Sequence, residues 1–172
     1  GRAMIPGAVA VQLVPVHDRS QPVLDLLRLG SSDLFEGVQR ASSQVYAYDL
    51  RVQWPDGSVT QGRDPYSFWP TVSDNDLHLF GEGNHLRLYE ALGARCLNLD
   101  GVSGVSFSVW GPSARRMSVV GDFNGWDGRR HPMRQLGSSG VWEIFVPGVR
   151  EGALYQFEMV DAQGHLKINT DP

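Results

Sequence analysis

The sequence of 172 residues contains a single cysteine, Cys96, so no disulfide can form within the chain. Chains without paired cysteines are typical of reducing compartments, and we therefore predict a cytoplasmic protein. We expect Cys96 to be a buried or half-buried small apolar residue, because free cysteines are among the most buried residue types. No partner that could serve as its base is recognisable, so the sequence gives it no catalytic role.

Long apolar runs and a surplus of positive charge are also lacking. No segment approaches the roughly 20 apolar residues that a membrane-spanning helix needs, and no secretory signal is recognisable. The net charge is −4, and the pairs Arg115–Arg116 and Arg129–Arg130 are too short to make a basic patch. We therefore predict neither a membrane nor a nucleic acid as a partner.

Residue patterns that carry catalysis are lacking as well. The five histidines show no metal-ligand spacing, and there is neither a phosphate-binding glycine loop nor a nucleophile elbow. Asp122 and Asp127 resemble the carboxylate pair of a glycosidase only in number. Aspartate is also the expected residue beside Gly and Asn in turns, and turn-capping is the favoured interpretation of both. The sequence predicts no catalytic residue, no metal site and no cofactor.

Turn residues and short alternating segments are plentiful. Twenty glycines and ten prolines favour a turn-rich β protein over a helical bundle. Apolar and polar residues alternate over 105–109, and the same period of two recurs over 142–146 and 155–159. Residues 117–120 form a further apolar segment after a Gly-Pro turn. Such short strands, about ten residues apart, are typical of an antiparallel sandwich.

The chain also contains an internal repeat. Four pairs of segments match in order at offsets between 106 and 109 residues: Pro6–Val14 with Pro112–Val120, Leu34–Val38 with Val141–Phe145, Tyr46–Leu50 with Tyr155–Met159, and Asp64-Pro65 with Asp171-Pro172. Each match alone is weak, but four at nearly one offset indicate two copies of one β module. The sequence predicts no opening strand for the first copy, and Gly1–Ala3 could be a cloning remnant. Both ends of the chain are expected to be truncated relative to the repeat. We therefore expect a fragment of a longer protein.

The segment between the two copies has a helical pattern at its end. Leu86, Tyr89 and Leu92 recur at helical spacing, with Asn84 as a plausible cap and Gly93 as a plausible end. We predict an all-β chain of two tandem immunoglobulin-like antiparallel β-sandwich modules joined by a short helical connector. The predicted limits are an incomplete first module over 1–73, the connector over 74–98 and the second module over 99–172.

Two aromatic residues occupy a turn with the sequence "GDFNGWDG". A flat indole matches the C–H face of a pyranose, and neighbouring Asn or Gln side chains can bond the hydroxyl rim. Burying about 100 Å² by stacking contributes roughly 2–3 kcal/mol, which corresponds to millimolar to high-micromolar affinity for one or two platforms. Alternatively, Trp126 folds back to cover one end of the sandwich. Phe123, nearer the strand, and Trp142, within a strand, are expected in the core.

Three segments carry a family resemblance: "GVSFSVWGPSARRMSVVGDFNGWDGRRHPM", "GVWEIFVPG" and "GALYQFEMVDAQG". With them the chain resembles the amino-terminal region of bacterial 1,4-α-glucan (glycogen) branching enzymes. The second copy is similar to a carbohydrate-binding module of family 48, a type also found in debranching enzymes and in the β subunit of AMP-activated protein kinase. The first copy, with "DPYSFWP" and "DLHLFGEGNHLRLYEALGA", resembles the additional amino-terminal sandwich of longer branching enzymes.

The resemblance implies where a glucan would bind. Trp126 matches a tryptophan that stacks on glucose in the kinase-subunit module, and Asn124 lies in the same turn. Gln156 stands where that module has a lysine, and it keeps hydrogen bonding but not the charge. A second tryptophan platform of that module falls at about His165 or Leu166. We therefore predict a glucan-binding set of Trp126, Asn124, Gln156 and His165.

The resemblance also implies a function for the chain. The family enzyme transfers α-1,4-glucan chains to make α-1,6 branches on an α-amylase-type barrel, which needs about 250 residues. None of its catalytic motifs is present, so we expect this chain to be inactive alone. Its expected partners are α-1,4-glucan or glycogen, bound weakly, and the catalytic barrel of the parent enzyme. The alternative is a purely structural module that packs on the barrel and binds no glucan.

Overall fold

The structure is a computed structural model that describes residues 1–18, 20–38, 46–81 and 92–170. Strands in antiparallel sheets dominate these residues, and the predicted all-β class is confirmed. The one α-helix among them, α1 (Asp74–Gly81), begins after Ser73, whose hydroxyl accepts the Asp76 amide at 3.1 Å. No helix of the described part is long and apolar enough to cross a membrane. The helix predicted between Asn84 and Gly93 lies almost entirely outside the described residues.

The chain divides into two compact units, Gly1–Phe68 and Trp69–Pro172. The first unit contains one antiparallel sheet in the order β1-β4-β3-β2-β5-β6. Its strands are β1 (Arg2–Met4), β2 (Ala10–Pro15), β3 (Leu24–Arg28), β4 (Leu34–Glu36), β5 (Tyr48–Gln53) and β6 (Val59–Arg63). A 3₁₀-helix, Pro65–Ser67, follows β6. The core of this unit is built from alternate residues of these strands, including Val11, Leu26, Phe35 and Val52.

The first residues of the chain form a strand of this sheet. Strand β1 pairs with β4 so that Ala3 lies opposite Phe35, and Ala3 is buried in the core of the unit. Arg2 forms an ion pair with Glu36 at 2.7 Å beside this pairing. The expectation that the first copy lacks an opening strand was therefore wrong. A three-residue strand is too short to show a periodic pattern in the sequence.

The second unit contains two sheets. The four-stranded sheet has the order β10-β11-β8-β7, and the three-stranded sheet has the order β13-β12-β9. Their strands are β7 (Gly93–Leu99), β8 (Val102–Trp110), β9 (Ala114–Gly121), β10 (Arg134–Gln135), β11 (Val141–Pro147), β12 (Tyr155–Asp161) and β13 (Leu166–Asn169). One core joins both sheets, with Phe107 and Ile144 from the first and Val119 and Phe157 from the second. The unit is therefore a β-sandwich.

Strand β8 is buried on both faces, although its alternation predicts a half-buried strand. Ser106 and Ser108, which point away from the core, are fully buried. The hydroxyl of Thr71, which precedes α1, hydrogen-bonds Ser106 and donates to Glu143 Oε1 at 3.2 Å. Arg134 donates to Glu143 Oε2 at 3.0 Å, so the buried carboxylate has a charged partner. The segment before α1 thus covers the outer face of the four-stranded sheet.

Strand β7 begins within the range 74–98 that the sequence assigned to the connector and ends one residue beyond it. It pairs with β8 along its whole length and forms one edge of the four-stranded sheet. Cys96 on this strand is exposed, so the expectation of a buried cysteine was wrong. The inner face of β7 borders an open cavity of about 180 Å³ instead of a packed core. The cavity is lined mainly by Ala94, Val105, Phe107, Val149, Ala153 and Tyr155. The limits of the predicted domains remain predictions.

Candidate functional site

The turn after β9 is fixed to its strand by backbone hydrogen bonds. A 3₁₀-helix, Asp122–Asn124, follows Gly121, and the amide of Trp126 then donates to the Gly121 carbonyl at 3.0 Å. A Cβ on Gly121 would come within 2.4 Å of the Leu154 carbonyl and 2.5 Å of the Phe123 ring. Only glycine therefore lets the chain leave the strand at this point, and this glycine sets the direction of the turn.

Asn124 is the internal brace of this turn. Its Oδ1 accepts the Gly121 amide at 2.9 Å, and its Nδ2 donates to the Val119 carbonyl at 3.0 Å. The second hydrogen of Nδ2 points to His131 Nδ1 at 2.8 Å. Because both N–H groups are used and the side chain is buried, no donor is left for a glucan hydroxyl. This geometry favours a role for Asn124 inside the turn over the predicted direct contact with a glucan.

His131 completes the brace as a neutral imidazole. Since Asn124 Nδ2 can only donate, Nδ1 of His131 accepts and its proton lies on Nε2. Burial, followed by the charge of Arg130, lowers the pKa of His131 to about 4. The His131 ring also packs against Phe123, with 5.8 Å between the ring centroids. Phe123 in turn stacks on Phe107 of the core, with a centroid distance of 5.7 Å. Phe123 therefore packs against the core, as predicted.

Trp126 projects from the turn in an unusual backbone conformation. Its φ is +60°, next to Gly125 at +65°, and only one other described residue besides the glycines, Asp100, has a positive φ. The left-handed region costs roughly 1–2 kcal/mol for a residue with a Cβ, so the surrounding hydrogen bonds must hold it there. Trp126 is 46% exposed, whereas Trp142 is buried and donates to the Gly111 carbonyl. The predicted core position of Trp142 is confirmed.

Asp127 and Asp122 both serve the turn, in agreement with the turn-capping interpretation. Asp127 Oδ1 accepts the backbone amide of Arg129 at 3.0 Å, and the Arg129 guanidinium binds both carboxylate oxygens. These bonds from Arg129 lower the pKa of Asp127 to about 2. Asp122 Oδ2 accepts the amide of Leu154, just before β12.

Gln156 lies on the same side of the sandwich as this turn. Tyr155, Phe157 and Met159 of β12 pack on the core, so Gln156 and Glu158 point to the outer face of the three-stranded sheet. Gln156 is paired with Val120, next to the glycine that binds the Trp126 amide. Gly128 lies against Glu158, because a Cβ there would fall within 2.3 Å of Glu158 Oε1. The turn that carries Trp126 therefore reaches the outer face on which Gln156 and Glu158 lie.

His165 lies at the opposite end of β12. Its amide donates to Asp161 Oδ1 at 2.9 Å, and its ring Nδ1 lies 3.4 Å from Asp161 Oδ2. Asp161 is five residues from Gln156, which corresponds to roughly 16 Å along a strand. The structure therefore does not bring His165 together with Trp126. Its ring caps the turn that begins at Asp161 and is otherwise exposed.

Glu158 and Ile168 are absent from the predicted set but share the face with Gln156. They lie directly opposite each other in the pairing of β12 with β13. The strand alternation of "YQFEM" could have pointed to Glu158, whereas nothing in the sequence gives the register of β13. Among the described residues, no group of three or more His, Cys, Asp or Glu side chains is placed to hold a metal ion.

Comparison with known families identifies the sandwich that carries this turn. Residues 91–172 match the family described as Carbohydrate-binding module 48 (Isoamylase N-terminal domain). This segment is similar to carbohydrate-binding module family 48. The family 48 module thus contains both sheets, the Trp126 turn and β13, whereas Thr71 and α1 lie before it.

A curated relative matches nearly the whole chain. The 1,4-alpha-glucan branching enzyme GlgB of Rubrobacter xylanophilus is 49% identical over 172 residues, which are 99% of this chain. The chain spans 23% of the length of that relative. The resemblance found in the sequence, to a branching enzyme with a family 48 module, is therefore confirmed.

Solved structures give a weaker likeness. Pullulanase PulA of Klebsiella pneumoniae covers 95% of this chain at 16% identity and a TM-score of 0.37, with 17% of that chain covered. The pullulanase of Anoxybacillus sp. LM18-11 complexed with maltotriose reaches a TM-score of 0.38 at 14% identity, with 95% of this chain and 22% of that chain covered.

Proposed function

We propose that the family 48 module binds α-glucan through Trp126, with Gln156 as a hydrogen-bonding neighbour. The single observation that carries the proposal is the exposed indole held at a positive φ by the brace of Asn124 and His131. Strain of this kind persists only where surrounding contacts enforce it, and it is concentrated at functional sites. A rigid, half-exposed tryptophan costs little side-chain entropy when a sugar ring stacks on it.

The chain is proposed to be a non-catalytic part of a 1,4-α-glucan branching enzyme. The 49% identity to the enzyme of Rubrobacter xylanophilus supports this parent. In such an enzyme the module would hold glycogen or a long α-1,4-glucan near the catalytic barrel, in the cytoplasm. The chain alone is expected to form no branches, because none of the family's catalytic motifs is present in its sequence.

The roles of the predicted site residues are revised within this proposal. Trp126 stacks on the sugar and Gln156 bonds its hydroxyls. Asn124 positions the turn through its three hydrogen bonds instead of touching the glucan. His165, at the far end of β12, is not proposed as part of the Trp126 contact.

We also propose that the two units are copies of one immunoglobulin-like module. The strands relate Tyr48 at the start of β5 to Tyr155 at the start of β12, an offset of 107 that shifts the sequence match of Tyr46 with Tyr155 by two residues. The same offset carries β6 onto β13. The pairings correspond too: β2-β5-β6 matches β9-β12-β13, and β1-β4 matches β8-β11. The helical connector between the two copies is part of the same proposal.

The glucan proposal is tested by affinity gel electrophoresis of the full chain in glycogen. We expect retardation of the wild-type chain and loss of it in Trp126→Ala. His165→Ala is the matched control, because its ring lies at the other end of β12, and it should migrate as the wild type does. Wild-type migration unaffected by glycogen would contradict glucan binding and favour the purely structural alternative, in which Trp126 packs on the barrel.

A further inference from the structure

Strand β7 forms an edge of the four-stranded sheet at which the sandwich is not closed. Ala94 and Cys96 lie directly opposite Phe107 and Val105 of β8, so they point to the core side of the sheet. Both are nevertheless exposed, and they line the open cavity that reaches Phe107. A residue that points to the inside of a sandwich is ordinarily covered by the opposing sheet. The core of the second unit is therefore open along β7.

The free edge of β7 lacks the features that ordinarily prevent an edge strand from pairing. Its seven residues pair with β8 in one continuous register, and no other described strand pairs with its second edge. It contains no proline, lysine or carboxylate, and its one charged residue, Arg95, lies opposite Ser106 on the outer face. By contrast, β10 has only two residues, β13 carries Lys167, and backbone groups of His131 and Met133 bond to β9. A long neutral edge of this kind invites a further strand.

We propose that β7 pairs antiparallel with β7 of a second copy of this chain, so that two four-stranded sheets join into one sheet of eight strands. Cys96 is the middle residue of the strand, and a two-fold axis at Cys96 sets the strand against itself. Ala94 then lies opposite the partner's Asn98, and Arg95 lies opposite the partner's Leu97. Like charges that face each other directly destabilise a strand pair, and this register contains none.

The partner is a second copy because the edge is complementary to itself, with a small uncharged side chain, Cys96, at the axis. The strand is about 24 Å long, and pairing of seven residues adds about six backbone hydrogen bonds. One such pair of strands buries less than the roughly 800 Å² per partner of a stable complex. We therefore expect a weak dimer, with a dissociation constant of about 10–100 μM. The contact lies on the sheet that does not carry the Trp126 turn, so it does not depend on the glucan proposal.

Sedimentation velocity of the full chain at rising concentration tests this inference. We expect the mass to rise from the 19.0 kDa of the monomer toward twice that value. Cys96→Lys sets two ammonium groups opposite each other at the axis, and it should weaken the dimer by about tenfold or more. Cys96→Ser is the matched control and should dimerise as the wild type does. Circular dichroism of both variants should match that of the wild type, because the side chain is exposed in the monomer.

Cross-linking with a short bismaleimide locates the contact, because Cys96 is the only cysteine of the chain. Directly opposed residues have Cβ atoms about 5 Å apart, so the wild type should form a covalent dimer. A control chain moves the thiol to another exposed position, by Cys96→Ser together with Ala162→Cys, and should cross-link much less. A wild-type chain that stays monomeric overturns the inference, as does a dimer that Cys96→Lys leaves intact. Equal cross-linking of the wild type and the control chain would place the contact elsewhere and overturn it as well.

Discussion

The stability of the second unit should fall between pH 7 and pH 5 because of His131. Burial, with a smaller contribution from Arg130, lowers the pKa of this imidazole from its ordinary 6.5 to about 4. In the unfolded chain the ring takes up a proton as the pH falls below about 6.5, whereas the folded protein resists it until about 4. The unfolded state therefore gains protons first, and acid destabilises the folded unit within this window.

The magnitude follows from the difference between the two pKa values. At pH 5 the unfolded ring is almost fully protonated, whereas the folded ring is almost fully neutral. The interval over which only the unfolded ring takes up a proton runs from its ordinary pKa of 6.5 down to pH 5, which is about 1.5 pH units. At 1.36 kcal/mol per unit, the free energy of unfolding should drop by about 2 kcal/mol relative to pH 7. At pH 5 most carboxylates remain ionised, so their titration contributes little in this range.

Urea denaturation of the full chain at pH 7 and pH 5, followed by circular dichroism, measures this loss. The matched variant is His131→Gln, whose amide oxygen can still accept from Asn124 but does not titrate. Its free energy of unfolding should change by about 2 kcal/mol less than that of the wild type between the two pH values. An NMR titration of the His131 ring should give a pKa near 4. Equal losses in wild type and variant, or a ring that titrates near 6.5, would refute the reasoning.

Two further predictions concern stability. Trp126→Gly should be more stable than Trp126→Ala by about 1 kcal/mol in thermal denaturation, because glycine adopts the positive φ without the Cβ penalty; equal stability would show that the turn relaxes when the indole is removed. Glu143→Ala should destabilise the second unit by about 3 kcal/mol, because it leaves the Arg134 guanidinium beside a sheet face that no longer holds a carboxylate. Urea midpoints within error of wild type for Glu143→Ala would contradict this.

The alternating strands and the family were predictable from the sequence because each depends on local pattern. Residues 142–146 show the period of two, and Trp142 was correctly placed in the core for that reason. The same pattern misled at Ser106 and Ser108, where alternation indicates solvent on one face. Thr71, which covers that face, is 35 residues from Ser106 in the sequence, and such a distant contact leaves no trace in a local pattern.

The exposure of Trp126 could not be predicted from the sequence, because the turn composition fits both a displayed indole and one folded back over the end of the sandwich. The structure leaves Trp126 46% exposed. Asn124 looks identical in sequence whether it faces a sugar or the inside of the turn, and the structure gives it the second role. Cys96 was misplaced because its burial depends on what lies opposite β7. The register that sets Ile168 against Glu158 is also a property of the sheet and not of either strand alone.

The hydroxyl of Thr71 has a consequence for where an independently folding piece of this chain can begin. The family match starts at residue 91, yet the buried carboxylate of Glu143 and the hydroxyl of Ser106 are covered by a segment that starts twenty residues earlier. A fragment trimmed to residue 91 would open the outer face of its own four-stranded sheet to water and to other proteins. A fragment that begins at Trp69, where the chain divides, keeps that cover, so the folding unit is longer than the recognisable family unit.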